Sequence, residues 1–151
     1  MGRTSIQQQL YPDAACFGCG MSNERGLHLQ SYVEDGFVSA TFRAWPEHDN
    51  GLGYLNGGII ATVLDCHSGA AAFHEADARG WGPLEGLPYP FVTSGLDIRY
   101  RRPAPLFESC ELRAYVVTAD EDLMTVEAEL IWEGKQRAWA TSEWRRWRPR
   151  T

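Results

Sequence analysis

The chain has 151 residues, enough for one domain that buries about two-thirds of its unfolded surface. Its composition, 44% hydrophobic, 12% aromatic and 23% charged, is that of a folded globular protein, and its formal charge of −6 argues against a nucleic-acid partner, whose affinity rests on basic residues. No apolar run reaches membrane-spanning length and residues 1–10 lack a signal-peptide core, so no membrane partner is expected and the cytoplasm is the expected compartment.

Residues 1–26 show little periodicity and read as an arm with a turn at Cys16-Phe17-Gly18-Cys19-Gly20. Cys16 and Cys19 have ligand spacing, but a structural zinc site wants a second pair or a Cys/His partner set. Cys66 and Cys110 stand isolated, His28 is the nearest imidazole, and no βαβ pattern accompanies the pair as a redox centre would require. Two reduced cysteines shaping a Gly-rich turn is therefore the expectation, with no metal and no cofactor. Residues 27–151 read as a single domain. Within it, residues 27–33 and 37–42 alternate apolar and polar around Glu34-Asp35-Gly36, which predicts a β-hairpin. Pro46 ends the hairpin, and a polar, Gly-containing loop follows.

From Gly57 to Phe73 only Asp65 and His67 are ionisable, and a helix apolar on nearly all sides is a buried one. Gly80 is its stop signal. Residues 80–90 hold three Gly and three Pro among Trp81, Leu84, Leu87 and Tyr89, a long ordered loop of the kind that often carries function. Strands follow at residues 92–100, 110–119, 123–132 and 136–147, joined by tight connections at 120–122 and 133–135. Two strands, one buried helix and four antiparallel strands make an α+β fold. One helix and one sheet must bury their apolar sides against each other, which wraps a curved antiparallel sheet around one long central helix, the hotdog arrangement.

An unpaired carboxylate inside an apolar helix costs several kcal/mol, so Asp65 must be paired, protonated or functional. Asn56-Gly57-Gly58 opens the same helix: Asn56 is a favoured N-cap, and Gly57 and Gly58 leave backbone N–H groups unshielded at the positive end of the helix dipole. Such a terminus suits the oxyanion of an attacked carbonyl. Gly57 and Asp65 are eight residues apart, about 12 Å along one helix. A single helix therefore cannot bring both to one reacting carbon. Two helices packed antiparallel about a two-fold axis would pair Gly57 of one chain with Asp65 of the other, so a catalytic role for this pair requires a homodimer. Ser68 lies one turn from Asp65, within hydrogen-bonding reach in principle, but no nucleophile elbow surrounds it. His67, two residues from Asp65, lies off its helix face and reads as a packed or interface histidine. His48 lies in the loop before the helix and is a weaker candidate for the site. The arginines at 99, 101 and 102 form a cluster suited to an anionic ligand, although strand ends carry such charges for solubility alone.

The pattern Asn50-Gly51, Asn56-Gly57-Gly58 and Asp65 resembles the signature of hotdog acyl-CoA thioesterases of the phenylacetate-degradation type, in the 4-hydroxybenzoyl-CoA thioesterase-like superfamily. The strand Thr93-Ser94-Gly95-Leu96-Asp97-Ile98-Arg99-Tyr100 resembles the family's strand after the helix, and Cys-Phe-Gly-Cys-Gly with Arg25-Gly26-Leu27 resembles the N-terminal segment of one branch. The likeness covers roughly residues 45–147. It implies that Asp65 acts as general base on water or as nucleophile through an anhydride. The Gly57 amide would bind the thioester oxygen, Asn50 would orient the carboxylate or water, and Thr93, or else Ser94, would hydrogen-bond the water. Gly58, Ser68, Trp81, Tyr89 and Phe91 are the candidates for binding substrate. The implied partners are an acyl-CoA and a second copy of the chain, with a dimer of dimers a further arrangement. One departure stands out: Asn56 occupies the position where the family usually has His. That counts against a hydroxyacyl-thioester dehydratase or hydratase and leaves a dimer that binds acyl-CoA without turnover as an alternative.

Overall fold

The computed structural model describes residues 2–150. In chain order it contains α1 (Ile6–Leu10), β1 (Tyr32–Val33), β2 (Val38–Arg43), a 3₁₀ turn (Pro46–His48), α2 (Gly57–Ala78), β3 (Phe91–Tyr100), β4 (Ser109–Ala119), β5 (Leu123–Trp132) and β6 (Lys135–Arg146). The strands form one antiparallel sheet in the order β1-β2-β4-β5-β6-β3. Helix α2 connects β2 to the far edge strand β3 and packs against β2, β3, β4, β5 and β6. This is the hotdog fold.

The helix forms where expected and ends for the expected reason. Asn56 Oδ1 accepts from the Gly58 and Ile59 amides at 2.8 and 3.3 Å. At the other end Gly80 adopts a left-handed φ of 77°, its amide donates to the Asp77 carbonyl, and the Trp81 amide donates to the Ala76 carbonyl. This is the Schellman arrangement that satisfies the last carbonyls of a helix. The face of α2 towards the sheet includes Val63, Leu64, Ala71, Ala72 and Ala76, all fully or almost fully buried against residues such as Leu112, Val126, Leu130 and Ala140.

The N-terminal half departs from the sequence reading in two ways. Residues 6–10 form a helix where an irregular arm was expected. Five residues are too few to show a period, although the Ser5-x-x-Gln8 capping box that starts α1 is written in the sequence. The strand expected at 27–33 shrinks to the two residues of β1. Leu27 and Leu29 are buried as the alternation implies, but their amides donate to the Phe17 and Gly18 carbonyls instead of to β2. His28, at φ 55°, breaks the extended run between them. The cysteine turn thus takes up the backbone groups that a hairpin would have used, and Ile6, Tyr11, Cys19, Leu27 and Leu29 join the core.

His67 is a structural centre. It is fully buried, its Nε2–H donates to the Val38 carbonyl at 2.9 Å, and its Nδ1 lies 2.8 Å from Ser31 Oγ. Gln7 bonds Ser31 through both backbone and side chain, so this buried network ties α1, β2 and α2 together. Burial holds the imidazole pKa down to about 4. His48 is likewise packed, stacked between Phe42 and Trp45 with Nδ1 accepting from the Trp45 amide.

Candidate active site

The functional candidates divide between two clefts. The first, of about 300 Å³, lies beside the middle of α2 and is lined by Asp65, Phe73, Tyr11, Tyr89, Phe91 and Trp144 among others. Asp65, Gly69 and Phe73 recur every four residues, which sets them one above another on a single helix face. Gly69 matters for contact: a Cβ there would lie 2.8 Å from the Trp144 ring. Trp144 is held in turn by its Nε1–H bond to Ser142 Oγ at 2.8 Å. Tyr11, Phe73 and Tyr89 pack as an aromatic cluster with centroids 5.5 to 5.6 Å apart.

In this cleft Thr93 Oγ1 donates to Asp65 Oδ1 at 2.9 Å. A bulge in β3 makes the contact possible. The register with β6 slips between Thr93 and Gly95, leaving Ser94 as the extra residue. Before the bulge Phe91 and Thr93 turn towards α2; after it Ile98 packs on the core and Tyr100 reaches the Gly57 carbonyl at 2.7 Å. One extra residue flips the side-chain parity, so both ends of one strand address one helix. Burial pushes the Asp65 carboxyl above the usual carboxylate range, the Thr93 bond opposes that shift, and the Cys16 sulfur nearby adds to it.

The second cleft, of about 330 Å³, surrounds the N-terminus of α2 and is lined by Asn50, Tyr54, Gly57, Tyr100, Arg101 and Arg102 among others. No hydrogen bond takes up the Gly57 amide among the described residues, whereas the Gly58 amide is engaged by the Asn56 cap. Asn50 Oδ1 accepts from the Leu52 and Tyr54 amides, which shapes the loop before the helix. Within one chain Asn50 therefore shares a cleft with Gly57 and not with Asp65.

The sequence candidates Ser68 and Trp81 lie outside these clefts. Ser68 is completely buried, and its Oγ has no partner among the described residues, Asp65 included; its direction on the helix points it into the core. Trp81 packs under Arg79, its carbonyl bonded by Arg146, and does not line the aromatic cleft, unlike Tyr89 and Phe91. A third cavity, of about 330 Å³ between the β1–β2 end and the C-terminal half of α2, contains no sequence candidate.

The structure also corrects the reading of Cys66 as isolated. The sulfur atoms of Cys16, Cys19 and Cys66 lie within 4.8 Å of one another, beside Asp65. Neighbouring thiols and the Gly18 and Cys19 amides hold the Cys16 thiol far below its ordinary pKa, while Cys19 and Cys66 are pushed up. Tyr11, Phe73, Trp144 and Cys66 are not legible as site residues, whereas Cys16 and Cys19 carry ligand spacing without the third cysteine that joins them. The eight-residue separation of Asp65 and Phe73, two steps of four through Gly69, is the available signal for one of them.

Comparison with known proteins agrees with this architecture. The thioesterase superfamily model matches residues 52–138, more than half of the sequence, and the chain belongs to that superfamily. Among solved structures it resembles the thioesterase superfamily protein RHA08564, with 23% identity and a TM-score of 0.67 over 83% of this chain and 60% of that one. The chain thus spans less than two-thirds of that protein's length. It also resembles a phenylacetic acid degradation-related protein of Ralstonia eutropha, at 20% identity and a TM-score of 0.70 over 94% and 99% of the two chains. A third likeness is to smu.793 of Streptococcus mutans, solved bound to acetyl CoA, at 20% identity and a TM-score of 0.64 over 82% and 91%. No curated protein gives a significant match. At these identities the structural likenesses speak for the fold.

Proposed function

We propose that the protein hydrolyses an acyl-CoA thioester as a two-fold symmetric dimer, each site joining the aromatic cleft of one chain to the Gly57 cleft of the other. The observation that carries this reading is Asp65, a partly buried carboxylate bonded by Thr93 on the wall of an apolar cleft, in a member of the thioesterase superfamily. The raised Asp65 pKa suits a general base, which works best with a pKa near the operating pH.

In the proposed reaction Asp65 takes a proton from water as the oxygen attacks the thioester carbon. The partner's Gly57 amide stabilises the resulting oxyanion. The C–S bond then breaks, CoA leaves as the thiolate, and the proton held by Asp65 returns to it. Direct attack by Asp65, through an anhydride that water then opens, gives the same products; where water opens the anhydride at the Asp65 carbon, oxygen-18 from labelled water enters the Asp65 carboxylate in a single turnover. The acyl group sits among Tyr89, Phe91 and Phe73, which favours a small or aromatic acid. Arg101 and Arg102 offer charge for the CoA phosphates beside the second cleft. Residues 27–151 form the catalytic domain in this reading, and Tyr11, Cys16 and Cys19 of the preceding arm line one wall of its cleft.

The dimer is supported by β3, a ten-residue edge strand with Val92 38%, Leu96 37% and Tyr100 54% exposed. An exposed apolar edge is a template for pairing with another strand. A second reading, binding of acyl-CoA without turnover, is favoured by Asn56: its side chain caps the helix and supplies no imidazole beside Gly57.

A panel of acyl-CoA thioesters, assayed for free thiol, tests these readings. Asp65→Asn is expected to lower kcat by about 10²- to 10⁴-fold with folding and dimer mass retained. Unchanged hydrolysis would remove Asp65 from the mechanism. Thermal stabilisation by acyl-CoA with no hydrolysis by the parent protein would establish the binding reading.

A further inference from the structure

Cys16 and Cys19 lie on the N-terminal turn, whereas Cys66 arrives from α2, 47 residues beyond Cys19. Their sulfur atoms nevertheless fall within 4.8 Å of one another, and Cys16 and Cys66 are 3.7 Å apart. A tetrahedral zinc ion with Zn–S bonds of about 2.3 Å requires sulfur separations of about 3.8 Å. A disulfide would need about 2.05 Å. The Cys16–Cys66 separation is that of two ligands around an ion, and Cys19 stands close enough to join them.

The turn is built to hold this position. The Gly20 amide donates to the Cys16 carbonyl, and the Leu27 and Leu29 amides donate to the Phe17 and Gly18 carbonyls, which clamp the loop from both sides. A Cβ on Gly18 would stand 2.2 Å from Cys66 Sγ, so only glycine lets the turn sit directly on the helix cysteine. Cys19 is buried and Cys16 and Cys66 are half-buried, and the cluster opens on the cleft that also contains Asp65.

Without a cation, a second thiolate in so small a space would meet the first one's repulsion. A soft divalent cation removes that penalty, and thiolate donors select zinc over magnesium or calcium.

We propose that Cys16, Cys19 and Cys66 bind one zinc ion that clips the N-terminal turn to α2, with the fourth coordination position facing the cleft and occupied by water. Three thiols lose their protons on binding, so Zn²⁺ with three thiolates and water carries one net negative charge. The ion fixes the wall of the cleft nearest Asp65 and is independent of which reaction the cleft supports.

The full-length protein, purified under reducing conditions in zinc-containing medium, is expected to hold about one equivalent of zinc per chain by mass spectrometric metal analysis. Replacement by cobalt should produce thiolate-to-cobalt charge transfer in the near ultraviolet and the intense visible bands of a tetrahedral site. Cys66→Ser and Cys16→Ser should lose the metal, whereas Cys110→Ser should keep it. A parent protein that takes up neither zinc nor cobalt when reduced would overturn the proposal without reference to any variant. So would equal metal content in Cys66→Ser and Cys110→Ser, or a Cys16–Cys66 disulfide that forms in air and leaves zinc uptake by the reduced protein undetectable.

Discussion

At the scale of single residues, Asp65 is drawn in opposite directions. Burial and the Cys16 sulfur favour its protonated form, while the Thr93 hydroxyl favours the carboxylate. A general base works only when deprotonated, so activity should fall as pH drops through a limb lying above the ordinary carboxylate range. Thr93→Val removes the bond that lowers this pKa, so the limb should move to still higher pH. Loss of one hydrogen bond to a charged group should also cost about tenfold in rate at the optimum. A pH profile of kcat/KM reads both effects. His67 makes a separate prediction about stability. Its pKa is held down to about 4 in the fold, against about 6.5 when exposed. The folded state therefore binds fewer protons, and stability present above pH ~6.5 is lost progressively as pH falls towards 4, by about 3 kcal/mol in all. Denaturant melts across that window should show the loss, and His67→Gln, less stable at neutral pH, should show a shallower slope.

Among the elements, α2 carries both Gly57 and Asp65, the two groups on which the proposed reaction rests. Its N-terminus offers a direct test of the oxyanion role because Gly57 occupies the first helical position, where proline is tolerated. Asn56 precedes it at φ −60° and ψ 135°, a conformation compatible with a following proline. The nearest atoms to a Cβ there are those of the Tyr100 ring, at an ordinary contact distance of 3.5 Å. Gly57→Pro thus removes the amide donor with little other disturbance. It should lower kcat by about 10²- to 10³-fold while circular dichroism and the melting temperature change little. A variant with parental kcat would exclude this amide as the donor. Much of α2 was legible beforehand, including its apolar run, the Asn56 cap and the Gly80 stop, because a helix is specified by neighbours three and four residues apart. The short α1 was not read from the same pattern, since a single turn and a half offers too few positions for a period.

For the molecule as a whole, the proposed reaction requires two chains, because Asp65 and Gly57 of one chain line separate clefts. If Asp65 of one chain works with Gly57 of the other, subunits of Asp65→Asn and Gly57→Pro should rescue each other when mixed, unfolded and refolded. Random pairing makes half the dimers mixed, each with one intact site of two, so about a quarter of the parental activity should return. Sites complete within one chain would give no rescue.

Legible in the residues alone were the α+β class, the buried helix with its cap and stop, five of the strands to within a residue, and Asp65 as the group needing explanation. These features depend on residues close along the chain, whose spacing reports their faces. Tertiary structure decided the rest. It diverted residues 27–29 to the cysteine turn, buried Ser68 away from the cleft, and joined Thr93 to Asp65 through a bulge whose parity flip no alternation pattern reveals. It also set Cys66 beside Cys16 and Cys19. Each of these depends on which distant backbone segment takes up a hydrogen bond or fills a gap, and sequence spacing carries no record of that choice.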